Sequence, residues 1–250
     1  MNENYIEKYV DIEGNIRERK YIEKIKMIIF AGTKFMLDRV LAILGLILLS
    51  PIILIISVLI KIDSKGPIFF KQERTGKNGE DFYVYKFRTM IAENDVHDFS
   101  KADKHTKIGE ILRKTSLDEI PQLWSIATAK MSFIGPRPWI PDYFNNMNEI
   151  QRHRYCVRPG LTGLAQAMGR NDIDIFKKIR YDLEYIENYS FAQDIKVIML
   201  TIREVFTTKG ADAGKNTIQK ELEDLKRVNM QEIAKISQKN KNMQELVKVK

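Results

Sequence analysis

An adjacent pair of carboxylates, Asp118-Glu119, lies in the stretch LRKTSLDEIPQLW, with Arg113 and Lys114 just upstream. Pro121 suits the first turn of a helix, so a helix is predicted to start near Asp118, with both carboxylates at its N-terminus. Helix N-termini carry unpaired N–H groups and the positive end of the dipole, and they bind phosphate. A lone acidic residue there reads as a cap. Two carboxylates beside cations allow more. One can hold a hard cation such as Mg²⁺, which takes one or two carboxylates together with substrate phosphates. The other can attack phosphorus. Further cations stand at separated places. Lys86 and Arg88 lie two apart in DFYVYKFRTM, and two neighbouring cations above an aromatic face suit a phosphate. Arg137 sits in FIGPRPWIP, where three prolines stiffen a loop, and arginine suits bidentate phosphate binding. Arg154 and Arg158 flank the loop VRPGLTG.

The elements that must position these residues are legible in part. IFFKQER and DFYVYKFRTM alternate and are aromatic, and the Asn78-Gly79 pair between them predicts a type I′ hairpin. On its second strand Lys86 and Arg88 would share one face, with Tyr83, Tyr85 and Phe87 on the other. Residues 91–107 read as a polar loop and KIGEILRK as a short helix. Residues 173–206 have helical apolar spacing through Ile175, Ile179, Leu183 and Ile186 and form framework with an interfacial face. One cysteine, Cys156, and three scattered histidines, His97, His105 and His153, leave no disulfide framework and no zinc spacing.

Val40 to Ile60 is an uncharged run of 21 residues, long enough to reach across a bilayer core of roughly 20 helical residues. About 40 mostly polar residues precede it, which argues against a signal peptide. Ser50-Pro51 stands at its midpoint. Proline removes a backbone hydrogen bond, and a nearby serine hydroxyl can satisfy a freed group. The run therefore either kinks and crosses, or turns and leaves on the side it entered. Short arms, a central break and basic flanks on both sides (Lys34 and Arg39, Lys61 and Lys65) favour the return. The chain carries a net charge of +8, of which residues 209–250 hold +4 (10 Lys+Arg less 6 Asp+Glu). Beside such a run, an anionic membrane surface explains the charge better than nucleic acid does. The tail, with apolar residues at Ile218, Leu222, Leu225, Ile233 and Ile236, predicts a helix that lies on the membrane or pairs with another chain, as in a homodimer, outside the catalytic part.

In order, the chain shows a Ser-Pro-broken apolar run, GPIFFKQERTGKNG, YKFRTM, LRKTSLDEIPQLW, MSFIGPRP, VRPGLTG and GRN. Over about residues 34–206 it resembles the bacterial sugar transferases, the monotopic polyprenol-phosphate phosphoglycosyl transferases. The resemblance implies a helix-rich α+β protein with four parts: a polar extension at 1–33, a re-entrant helix broken at Ser50-Pro51 within 34–62, a catalytic domain at 63–208 and a basic tail at 209–250. It implies transfer of a phosphosugar from a UDP-sugar to undecaprenyl phosphate, with release of UMP, at the cytoplasmic face of the bacterial inner membrane among its phospholipids. Asp118 matches the family's nucleophile and Glu119 its Mg²⁺ ligand. Lys86 matches the hairpin lysine, Arg113 the arginine before the dyad and Arg137 the Pro-Arg-Pro arginine near the nucleotide. Arg88, Arg154 and Arg158 are expected on the substrate side. An inactive membrane-bound scaffold of the same fold is the alternative. Where the family usually carries Asn and then Gly-Asp, this chain has Ser125, Ala129 and Lys130, a reversal of charge.

Overall fold

The computed structural model describes residues 8–10, 16–91, 105–169, 173–207 and 218–231. Most of the expected loop at 91–107, Arg170 and Asn171 of the GRN motif and the end of the tail lie outside the described residues. Two short strands, β1 (Lys8–Val10) and β2 (Ile16–Glu18), lead into a 43-residue helix, α1 (Tyr21–Asp63). Next come β3 (Phe69–Thr75), β4 (Asp81–Phe87) and α2 (Lys107–Thr115). A 3-10 turn at Leu117–Gln122 runs into α3 (Leu123–Ala127). After β5 (Ser132–Ile134) the chain forms α4 (Pro141–Asn145) and α5 (Glu149–Arg152), then β6 (Gly160–Thr162) and α6 (Leu164–Ala167). Two longer helices, α7 (Ile175–Glu187) and α8 (Phe191–Thr207), precede a last helix, α9, over residues 218–231. Helices dominate. The described strands pair two by two, β1-β2 and β3-β4 antiparallel and β5-β6 parallel.

The hairpin follows from its turn. Asn78 (φ 61°, ψ 15°) and Gly79 (φ 82°) both take positive φ, and the Glu80 amide donates to the Lys77 carbonyl at 3.2 Å. This is the type I′ geometry that matches strand twist. The two loops carrying Arg137 and Arg158 are held together by glycine. A Cβ at Gly160 would stand 2.1 Å from the Gly135 nitrogen, so the strands meet closer than any side chain allows.

Helix α1 is about 65 Å long at 1.5 Å per residue, roughly twice the hydrocarbon core of a bilayer. It begins at Tyr21, so residues 21–33 are not a separate extension. Met27 and Phe30 are buried, Met27 in a cluster with Tyr185, Ile186 and Val197 and Phe30 edge-on to Tyr189. Nor does the helix end at Ser50-Pro51: Pro51 lies inside it. The physical reason is local. Pro51 cannot donate to the carbonyl of Ile47, and the Ser50 hydroxyl donates to that oxygen instead, at 2.8 Å. Both halves lie on the same globular body. Ala42, Leu46 and Leu49 pack with Phe82, Leu123, Ile126 and Met131, whereas Ile53, Ile56 and Ile60 pack with Phe87 and Leu112. The opposite side of α1 stays apolar and exposed, from Ile43 through Ile62, and Trp124, Ile198, Met199 and Ile202 are exposed too.

The basic flank is only partly free. Lys34 is buried against Asp194 at 2.6 Å, with Asp38 at 3.8 Å, and Ser132 donates to Asp38 at 2.6 Å. Its charge is answered inside the protein, which removes it from the positive-side argument. Arg39 stacks on the Phe35 ring, and Lys61 donates to the Gly66 carbonyl.

Candidate active site

Three separate stretches of chain deliver the site. Strand pairing sets Phe70 opposite Lys86, Gln72 opposite Val84 and Arg74 opposite Phe82, so Phe70, Gln72, Arg74 and Lys86 share one face of the hairpin. The 3-10 turn contributes Asp118 and Glu119. It can begin there because Ser116 takes a left-handed conformation (φ 57°), which ends α2 and reverses the chain. The stiff loop after β5 contributes Arg137.

The three stretches converge on Glu119. Its Oε1 accepts from Lys86 Nζ at 2.5 Å and from Arg137 Nη2 at 3.3 Å. Burial alone would raise the Glu119 carboxyl, but the Arg137 guanidinium and the Lys86 ammonium outweigh it and hold it at about 2. Asp118 differs. Among the described residues no side-chain hydrogen bond or ion pair engages its carboxylate. Burial pushes its pKa up, and the charges of Lys86 and Arg113 only partly oppose this. Arg113, in the last turn of α2, lies 2.9 Å from His105 Nε2. Lys86 is itself lowered, first by burial and then by Arg137. The dyad is thus divided into one carboxylate anchored by two side chains and one that no side chain bonds.

The hairpin supplies a residue that the sequence reading passed over. Arg74 donates to the Pro138 carbonyl at 3.2 Å and to Gln72 Oε1 at 2.5 Å. Its pKa is lowered to about 10, by burial and then by Arg137. The signal was present in FFKQERT, where strand alternation puts Gln72 and Arg74 on one face.

Three expected substrate residues stand elsewhere. Arg88 does not continue the Lys86 face: β4 ends at Phe87, and the buried Arg88 side chain donates to the carbonyls of Lys65 and Ser64 at 2.6 and 2.8 Å, at the C-terminal end of α1. There it answers the negative end of the helix dipole. Arg154 is fully buried, paired with Asp182 at 2.6 Å, and donates to the Arg137 carbonyl at 2.8 Å; it positions the loop and is closed to substrate. Arg158 donates to the Ala129 carbonyl at 2.9 Å and lies over the Phe35 ring at 4.2 Å. Ala129 has φ 63°, a left-handed backbone that explains why glycine suits this place, and Lys130 is exposed beside it.

No group of three His, Cys, Asp or Glu comes together among the described residues, so a cage made by the protein alone is absent there. The dyad offers carboxylate oxygens, one of them kept ionised far below neutrality. That donor set fits Mg²⁺, which completes its shell with phosphate and water.

The site is a carboxylate dyad with cations around it, and it belongs to a chain with one helix long and apolar enough to cross a membrane. Residues 29–208 match the bacterial sugar transferase family, and the chain belongs to it. It is 41% identical over 179 residues to the "Uncharacterized sugar transferase EpsL" of Bacillus subtilis, covering 71% of this chain and 89% of that one. It is also 41% identical over 186 residues to the UDP-glucose:undecaprenyl-phosphate glucose-1-phosphate transferase of Klebsiella pneumoniae, covering 70% of this chain and 40% of that protein. A third relative, the UDP-N-acetylgalactosamine-undecaprenyl-phosphate N-acetylgalactosaminephosphotransferase of Aeromonas hydrophila, is 36% identical over 193 residues, covering 73% of this chain and 46% of its own length. Against these last two the chain spans less than half of the relative.

Proposed function

We propose that this protein transfers a phosphosugar from a UDP-sugar to undecaprenyl phosphate at the cytoplasmic face of the bacterial inner membrane, and so starts a lipid-linked glycan. The observation that carries the reading is the division of the dyad. Glu119, bonded to Lys86 and Arg137, is fixed, and no side chain bonds Asp118. An Asp118 oxygen attacks the β-phosphorus of the donor, the bond from that phosphorus to the UMP oxygen breaks, and UMP leaves. An oxygen of undecaprenyl phosphate then attacks the same phosphorus, and the bond to Asp118 breaks to restore the carboxylate. Arg137, Arg74 and Lys86 face the donor phosphates and stabilise charge on the transferring group. Glu119 would hold Mg²⁺, which would supply further neutralisation of charge on the leaving group.

The membrane reading rests on the exposed apolar side of α1 together with Trp124 and the outer face of α8. Residues on both sides of Ser50-Pro51 pack against one domain. This favours a helix that keeps both halves at one membrane face over one that carries its two ends to opposite faces.

The test is UMP release from a set of UDP-sugars with undecaprenyl phosphate and Mg²⁺. UDP-glucose and UDP-N-acetylgalactosamine come first, since relatives bear those names. With donor alone, a burst of UMP and a mass gain of one phosphosugar on the peptide holding Asp118 are expected. Silence with every donor would leave the inactive scaffold.

A further inference from the structure

The sequence predicts that the tail lies on the membrane or on another chain. Helix α9 docks on its own catalytic domain. Leu225 is fully buried, and with Leu222 it packs among Trp139, Tyr143, Met147, Tyr155, Ile175 and Ile179. Glu221, also buried, accepts from the Tyr143 hydroxyl and from Lys178 Nζ, both at 2.6 Å. Asn229 donates to the Asn146 carbonyl. The family match covers residues 29–208, so this helix lies outside the matched region.

The docking place lies beside the Arg137 loop. Trp139, two residues after Arg137, shares a buried cluster with Leu222 and Leu225 of α9; its ring centre lies 4.9 Å from that of Tyr143, which donates to Glu221, and the Arg154 guanidinium lies 3.7 Å from its ring centre. Arg154 also holds the Arg137 carbonyl, and the Trp139 carbonyl accepts from the Thr75 amide at 2.8 Å. The loop is therefore clamped between the hairpin, Arg154 and α9. We propose that α9 is a built-in clamp that sets the Arg137 loop for the donor, with Glu221 as its anchor and positioning residue. This rests on the reading that Arg137 meets the donor phosphates. A buried charged anchor gives a mode of docking that a purely apolar brace would not need. Lys178 and Tyr143 come from different elements, α7 and α4, and both need Glu221 to satisfy them.

Glu221→Gln and a chain ending after Gly210 are compared with the wild type in two ways. Hydrogen exchange of the loop peptide over residues 133–140 reads position without turnover. It is expected to be faster in both variants while the peptides of α2 and α8, which lie outside this cluster, stay unchanged. Kinetically, KM for the UDP-sugar is expected to rise by about tenfold, since an ångström of misplacement costs up to about 10²-fold. KM for undecaprenyl phosphate is expected to hold. Restoring the pair in reverse, Glu221→Lys with Lys178→Glu, should recover part of the loss, and Met230→Ala on the exposed side should do nothing. Unchanged loop exchange in folded variants overturns the clamp. So does an equal rise of both KM values, or a fall in melting temperature alone. No UMP release from the wild type, with faster loop exchange in the variants, would instead overturn the transferase reading and leave the clamp standing.

Discussion

Lys86 and Glu119 lie 33 positions apart in sequence and meet at 2.5 Å. The contact welds the hairpin to the 3-10 turn and makes Glu119 the fixed member of the dyad. Asp118→Asn keeps the size but loses the nucleophile, so turnover is expected to fall at least about 10³-fold while the fold survives. Glu119→Gln should lose less, and part of that loss should return at high Mg²⁺. Steady-state UMP release and the phosphosugar adduct check both, and near-normal turnover by Asp118→Asn would dismiss the assignment.

The pH dependence separates the two carboxyls. Asp118 has a raised pKa, so as pH falls it takes up its proton before Glu119 does. The acid limb of kcat/KM is therefore expected above the ordinary aspartate range, because it reports the free enzyme's nucleophile. Lys86→Met removes a charge that lowers Asp118, and should move this limb to still higher pH. A limb that stays put would detach it from Asp118. Glu119 is depressed, so the stability it contributes is present above the ordinary glutamate value and is lost as pH falls toward about 2.

Arg154 and Asp182 form a pair closed to water. Arg154→Ala leaves Asp182 buried without its partner, and a loss of about 3–5 kcal/mol is expected. Denaturant unfolding in detergent measures it. Arg158→Ala, at a half-buried place, should cost far less.

Ala129 holds a left-handed backbone at the end of α3. Ala129→Gly relieves it and should stabilise the protein by about 1 kcal/mol. That corresponds to about 2–4 °C in melting temperature for a chain of this size. No gain would mean that the unfolded chain's extra freedom cancels the relief.

Ser50→Ala with Pro51→Leu restores the backbone hydrogen bond that the Ser50 hydroxyl now replaces. The apolar run is then expected to span. A cysteine placed near Asn15 should be shielded from an external thiol reagent in the native chain and become labelled in the variant. Cys156 gives little background, being buried, with its thiol pushed up by burial. External labelling without the substitutions would show that the run already crosses.

Local features of this protein could be taken from its sequence, because their causes are local. Asn78-Gly79 dictates the hairpin through positive φ, alternation along FFKQERT and DFYVYKF assigns faces, and 21 uncharged residues call for lipid. The adjacent pair Asp118-Glu119 was legible for the same reason, since it stands in one short stretch. What the tertiary structure decided is which charges remain for substrate. Lys86, Arg88, Arg154 and Arg158 look alike in sequence. Only packing gives Arg88 to the carbonyls at the end of α1, Arg154 to Asp182, Arg158 to Ala129 and Lys86 to Glu119. The same holds for the tail, whose apolar spacing fits a membrane, a second chain or its own domain equally well. The buried meeting of Glu221 with Tyr143 and Lys178 is a contact between distant segments, and no local rule of sequence encodes it.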